Sequence, residues 1–425
     1  MGRELWTDAY LDSMRNEADP AADRVVDAIY ASQSVDGVNR LLMHLVRNTN
    51  PPPPEVQAMV DDYFAATAAL PTWAEPAKIA LAEDLFSRHG MLGTTILCCA
   101  SLPECYLDQL DVPVLSSTTQ LERHVYRRIF ETSHMVITVM QPGGMKPAAA
   151  VSPKQPERAD ADDISAVPGE GIRCCQKVRL MHAAIRHLLL ATDTAGRKDE
   201  LGRALAEQFW NPASGRPINQ ESMAYVILTF SYVGLRGLDS LGAHPTDEER
   251  EAYVHAWSVI GHVMGVRDDL LARNFADAKF LFDTIKRRRR GASKDGAALT
   301  RALLKWMEEA VPPGFKALPK EMLAHLLGDE DTRLLGVQLD PIQHVDEGFW
   351  AGVIHVVEHL ADDLMKQPPV RRTAETLFHL IVRAVWGMKK GWNRETFALP
   401  PSLQKSWRLS RTVGLKTGTA PVRPA

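Results

Sequence analysis

Apolar residues recur three and four positions apart along almost the whole chain, and no series of alternating apolar and polar residues between turn signals breaks that rhythm. A period near 3.6 belongs to helices, so the chain is expected to be all-α. Helices are predicted over Asp23–Leu45 (broken near Asp36 and Gly37), Glu55–Ala68, Pro76–His89, Met91–Ala100, Gln120–Met140 and around His182. They continue over Leu201–Phe209, Asn219–Leu241, Asp247–Leu271, Asp277–Arg290, Thr300–Ala310, Lys320–Leu327, Gly348–Met365 and Thr373–Met388. With 425 residues and no internal repeat, the expectation is a single large helical domain over residues 21–405. An N-terminal segment, 1–20, precedes it and a polar, disordered tail, 406–425, follows.

Composition excludes several function classes. The chain is 45% hydrophobic and 24% charged, which is ordinary for a soluble globular protein. With 49 basic against 53 acidic residues it carries no electrostatic footprint for nucleic acid. No apolar stretch reaches the ~20 residues that span a bilayer. The start has neither an apolar signal core nor a twin-arginine pair, so a cytoplasmic protein is expected. The oligomeric state has no signature. Five cysteines, Cys98, Cys99, Cys105, Cys174 and Cys175, form neither a disulfide framework nor a spaced zinc signature, and read as buried thiols.

The chemistry concentrates in two segments. In the first, Arg179, His182 and Arg186 stand three and four apart, and so line up on a helix as cation, imidazole, cation, with His187 beside them. An imidazole suits the axial position of haem iron, and guanidiniums suit its propionates. A core histidine whose arginines reach solvent fits the same segment. In the second, Arg128 and Thr132 share a face on which both could bind one carboxylate, while Glu131 and His134 stand one step around as candidate iron neighbours or proton carriers. A surface pairing of Glu131 with Arg127 or Arg128 has the same spacing. Between the segments, residues 142–171 turn to Gly, Pro, Ala and charge, and read as a mobile insertion or lid.

Other polar features have structural readings. Asn219 is placed to cap a helix. Arg267, Asp268 and Asp269 read as ion-paired rather than as a metal site, since no second aspartate-rich motif accompanies them. Lys286–Arg290 reads as the solvated C-terminus of a helix. His255 and His262 stand two turns apart near Trp257, and could line a pocket or be satisfied core residues.

In order along the chain stand ASLPECY (Ala100–Tyr106), RIFET (Arg128–Thr132), VRLMHAAIR (Val178–Arg186), GRPINQE (Gly215–Glu221), TFS (Thr229–Ser231) and GVRDDL (Gly265–Leu270). Together they resemble the haem-dependent rubber oxygenases called latex-clearing proteins, and the wider oxygenase family that includes the fungal enzyme of mycophenolic acid biosynthesis. The resemblance runs from about Ala21 to His344. It implies one helical domain around one haem b, with His182 as the proximal iron ligand, Arg128 and Thr132 as a polar pair of the distal helix, and Arg186 and His187 beside the proximal ligand. In latex-clearing proteins a lysine before that threonine can occupy the distal iron position, and here that position is Glu131. The implied reaction uses dioxygen to oxidise or cleave a carbon–carbon double bond in a hydrophobic, isoprenoid-like substrate. A haem hydroxylase or peroxidase-like oxidase, and a non-catalytic helical protein binding haem or lipid, are the rival readings.

Overall fold

The computed structural model describes residues 2–32, 54–117, 125–147, 169–190, 210–310 and 316–339. Every regular element among them is helical, and the one extended contact is an isolated bridge between Asp108 and Arg290. The helices are α1 (Gly2–Leu5), α2 (Asp8–Met14), α3 (Pro20–Ser32), α4 (Pro54–Ala66), α5 (Pro76–Arg88) and α6 (Gly90–Ile96). A π-helix, Leu97–Ser101, leads into α7 (Leu102–Tyr106), followed by α8 (Val112–Ser117), α9 (Val125–Met140), α10 (Glu170–Leu190) and α11 (Gln220–Ser240). Then come α12 (Asp247–Val263), α13 (Phe275–Arg289), α14 (Lys294–Ala310), α15 (Leu318–Leu327) and α16 (Asp329–Leu334). The helices expected at 201–209, 348–365 and 373–388, the expected break at 36–37 and the tail at 406–425 lie outside the described residues.

The core is built around α11. Its side chains from Gln220 to Leu238 are buried on nearly every face, which a helix tolerates only when other elements surround it. The π-helix, α6, α7, α12 and α13 supply that cover. Phe230 of α11 stacks on Trp257 of α12 with ring centroids 4.9 Å apart, and Tyr225 stacks on Phe282 of α13 at 5.4 Å. Such pairs add about 0.5–1.5 kcal/mol beyond the burial of their surface. A second apolar cluster joins α3, α4 and α10 through Ile29, Val60, Leu180 and Ala184.

Four expectations need correction. The helix predicted from Asp247 ends at Val263 instead of Leu271, because Gly265 takes φ +87°. The Val266 N–H then reaches back to the Gly261 carbonyl, the bond that closes a Schellman turn. The stretch predicted to stop at Ala100 runs on to Tyr106 by widening into the π-helix, after which Pro103, which has no N–H to donate, fits the chain. Residues 1–20 are no separate segment: Trp6, Leu11 and Met14 lie in the main core, and the Trp6 indole donates to the Asp269 carbonyl at 2.7 Å.

The fourth correction concerns Lys286–Arg290, which is not a solvated terminus. Lys286 bridges Glu104 and Asp331 at 2.7 and 2.6 Å. Arg289 is fully buried and bonds Asp108 at 2.8 Å and Glu221 at 2.9 Å. Arg288 holds the other oxygen of Glu221 at 2.8 Å, and Arg290 pairs with Asp331. Arg287 is itself exposed and pairs with exposed Asp8, a partner that Arg288 shares. Glu104 and Glu221, both fully buried, are thus paired with cations from α13, joined by Arg236 at Glu104 and by Arg15 at Glu221. A buried carboxylate is tolerable only when paired in this way.

The remaining polar readings hold. The Asn219 side chain accepts from the Ser222 N–H and caps α11. Arg267 pairs with Asp269 at 2.7 Å and His262 with Asp268 at 2.6 Å. The His255 Nε2 accepts the Glu75 N–H at 2.9 Å, at the start of α5. All five cysteines are free thiols, but only Cys98, Cys99 and Cys175 are buried while Cys105 and Cys174 are half-buried; burial pushes Cys98 up to about 12 and Cys175 well above the ordinary thiol range.

Candidate functional site

The two segments singled out in the sequence lie on α9 and α10, which pack against each other. The chain between them leaves and returns at one point. The Gly169 N–H donates to the Lys146 carbonyl at 2.7 Å and the Gly171 N–H to the Gly144 carbonyl at 2.9 Å. Both glycines at that second rung are required by space. A Cβ on Gly144 would stand 2.4 Å from the Thr138 carbonyl oxygen, and one on Gly171 would stand 2.4 Å from the Gly144 carbonyl oxygen. The buried Glu83 of α5 completes this neck by accepting the Gly143 N–H at 2.9 Å. Burial raises the Glu83 carboxyl above its ordinary range, and backbone N–H groups oppose the shift. The body of the insertion, 148–168, and with it the lid expectation, lies outside the described residues.

On α10, Leu180, Ala183 and Ala184 face the second apolar cluster. His182 stands on another face, in helical register with Gly171, Cys175, Val178 and Leu189, and is half-buried. Cys175 and Val178 of that register belong to the main core, so His182 points away from α3 and α4. The arginines on either side take a course the sequence reading did not include. Arg179 grips Asp19 with two nitrogens, and Arg186 bonds Asp23 at 2.8 Å and the Ile218 carbonyl at 3.2 Å. Arg186 is buried, so the guanidinium expected to meet an anionic ligand is already neutralised by α3. His187 belongs to the same contact, 2.6 Å from Asp27 and stacked on Tyr30 with centroids 4.0 Å apart.

Asp19 is the residue that sequence reasoning missed. One carboxylate oxygen accepts the Ala22 N–H and caps α3 in front of Pro20, and the same carboxylate receives Arg179. An aspartate directly before a proline is a helix-start signal, so the cap was detectable while its partner 160 residues away was not. Around this pair Gln220 donates to the Ala18 and Gly265 carbonyls at 2.6 and 2.9 Å and accepts the Arg267 N–H. The arrangement ties the starts of α3 and α11 to the back of the His182 helix.

On α9 the side chains of 125–131, including Arg127, Arg128 and Glu131, lie outside the described residues. Thr132 and His134 are half-buried. The Thr138 hydroxyl donates to the His134 carbonyl at 2.8 Å and stands 2.9 Å from His134 Nδ1.

Comparison with known proteins agrees with this architecture. The profile of the family described as ER-bound oxygenase mpaB/B'/Rubber oxygenase, catalytic domain, matches residues 87–416. The Rubber oxygenase of Streptomyces sp. (strain K30) is 22% identical over 334 residues, which is 76% of this chain and 72% of that protein. A solved structure, of latex clearing protein LCP in the closed state, superposes with a TM-score of 0.64 at 19% identity, covering 81% of this chain and 84% of that one. Among the described residues no helix is long and apolar enough to cross a membrane. The profile takes in α6 through α16, both loaded helices included, and on that extent the chain belongs to the mpaB and rubber oxygenase catalytic-domain family.

Proposed function

We infer that this protein is a haem b-dependent oxygenase which uses dioxygen to oxidise or cleave a carbon–carbon double bond in a hydrophobic, isoprenoid-like substrate. The observation that carries the reading is a family match spanning α9 and α10, with a half-buried imidazole, His182, turned away from the face of α10 that packs on α3 and α4. The donor chemistry agrees. Among the described residues no three His, Cys, Asp or Glu side chains gather as a metal site. A lone imidazole suits a metal whose in-plane donors come from a macrocycle.

In this reading His182 would hold the haem iron, and the haem, when bound, would supply the oxidative chemistry. The chain supplies position and proton control. Arg179 and Arg186 act through Asp19 and Asp23 to fix the height and rotation of α10, and hence the direction of the imidazole. Arg128 and Thr132 orient polar atoms on the α9 side. Glu131 takes an allylic proton from the substrate, and His134 is a second base on the same helix.

The test is the ultraviolet–visible spectrum of protein expressed with ample haem precursor, with pyridine haemochrome quantification, followed by product analysis with an unsaturated isoprenoid under labelled dioxygen. One haem b per chain and label in carbonyl products are expected. A colourless protein that takes up no added haemin sinks the reading, and turnover driven by peroxide alone would favour the peroxidase-like rival.

A further inference from the structure

Away from the residues used above, a cavity of about 30 Å³ opens where α5, α6, the π-helix, α11 and α12 meet. Phe86, His89 and Gly93 at one side of it are half-buried, whereas Leu97, Phe230 and Trp257 are sealed in the core. Val136 of α9 also lines it, one helical turn beyond Thr132, so the cavity reaches the helix that carries the second candidate segment. Space of this size holds one or two small molecules, since a water needs about 10–15 Å³. It has no room for an isoprene unit.

The glycines of the lining are informative. Glycine is the least favourable interior helix residue after proline, and its presence asks for a reason. At Gly237, elsewhere on α11, packing is the reason, because a Cβ would strike Ile96 at 2.7 Å. At Gly261 of α12 a Cβ would meet Leu271 at 2.7 Å. No such reason exists for Gly93 or Gly234: a Cβ would make ordinary contacts, 3.7 Å from Phe86 and 3.5 Å from Tyr253. Their missing methyl groups keep the cavity open instead. The polar groups in the core of the lining have protein neighbours: the Ser101 hydroxyl donates to the Thr229 carbonyl at 2.7 Å, and the Tyr253 hydroxyl stands beside the Trp257 indole.

We propose that this cavity is a docking site for dioxygen between the α5–α6 surface and α9. The assignment rests on the oxygenase reading. It follows from a mostly apolar wall whose polar groups are confined to His89, Ser101, Tyr253 and Trp257, a volume suited to a diatomic molecule, and contact with α9. A structural water would be the competing occupant, and it would need two or more polar partners here.

Xenon, which occupies apolar cavities, is the probe. Crystals of the full protein pressurised with xenon should show an atom bounded by Leu97, Val136, Phe230 and Trp257, and the double variant Gly93→Ala, Gly234→Ala should lose it while melting no lower than wild type. In oxygen-uptake assays the same variant should raise the KM for dioxygen roughly threefold or more with kcat at saturating oxygen and the KM for the isoprenoid unchanged. An ordered water on Trp257 Nε1 with no xenon overturns the proposal, and so does loss of xenon with an unaltered KM for dioxygen. Xenon occupancy requires no turnover, so the two readings fail separately. Wild-type protein that binds xenon but consumes no oxygen sinks the oxygenase reading and dioxygen's destination with it, whereas absence of xenon sinks the cavity whatever the enzyme does.

Discussion

Asp19 holds Arg179 with both carboxylate oxygens, and with one of them also closes the first turn of α3. Replacing Asp19 by Ala removes a helix cap, worth about 0.5–2 kcal/mol, and strands a mostly buried guanidinium, for which about 3–5 kcal/mol is usual. Asp19→Ala is expected to lower stability by the larger of these figures in urea unfolding. Asp19→Asn keeps the cap and should fall between. Equal losses in the two variants would show that the cap contributes nothing beyond the ion pair, and an Asp19→Asn variant as stable as wild type would show that the ion pair contributes nothing.

His182→Ala should leave the helical circular dichroism and melting temperature close to wild type, because the half-buried side chain is not part of the apolar cluster that joins α10 to α3 and α4. Haem retention should be abolished. Full haem occupancy with an unchanged spectrum would mean that the axial ligand is elsewhere. Thr132→Ala and Arg128→Ala should weaken haem binding or activity with the fold intact, and unfolding of either would count against a cofactor role.

Arg289 is expected to be the least replaceable cation of α13. Asp108 and Glu221 lie within 2.8–2.9 Å of it, and Asp111, held up to about 6 by burial, is 3.4 Å away. Arg289→Ala should cost about 3–5 kcal/mol or prevent folding, whereas exposed Arg287→Ala should cost under about 1 kcal/mol. Comparable melting temperatures for the two variants would contradict the buried network.

The His255 contact gives stability a pH dependence of known sign. Burial lowers the imidazole pKa, and the neutral ring accepts the Glu75 N–H. The unfolded chain then binds the proton more readily than the folded one, so stability rises with pH across this window. The contribution is complete above the unfolded value near 6.5 and shrinks as pH falls toward the lowered folded value. Melting temperatures measured from pH 7.5 to 5 should fall less steeply for His255→Gln than for wild type, and parallel slopes would refute the assignment.

Much of this fold was legible because its signals are local. The apolar spacing locates α4, α5, α11 and α15 within two residues, and Asn219 was recognised as a cap from its neighbours alone. What escaped was decided at a distance. The five cations of Lys286–Arg290 look the same in sequence whether they meet water or carboxylates, and the partners of Arg289 stand 181 and 68 residues away. Gly265 ends α12 through its backbone angle, while Gly261 and Gly234 pass inside helices without breaking them. At the site, His182 could be placed on its helix face from spacing. The carboxylates that occupy Arg179 and Arg186 could not, because an arginine's charge announces a need for an anion without saying which one.

The paired rungs at Gly144 and Gly171 make α9 and α10 a helical hairpin whose hinge is closed before the intervening chain begins. Loop-closure entropy grows only slowly with length. The register between the two helices is therefore insulated from whatever is spliced between Lys146 and Gly169, which becomes a place where chain can be added or removed while the His182 helix keeps its alignment.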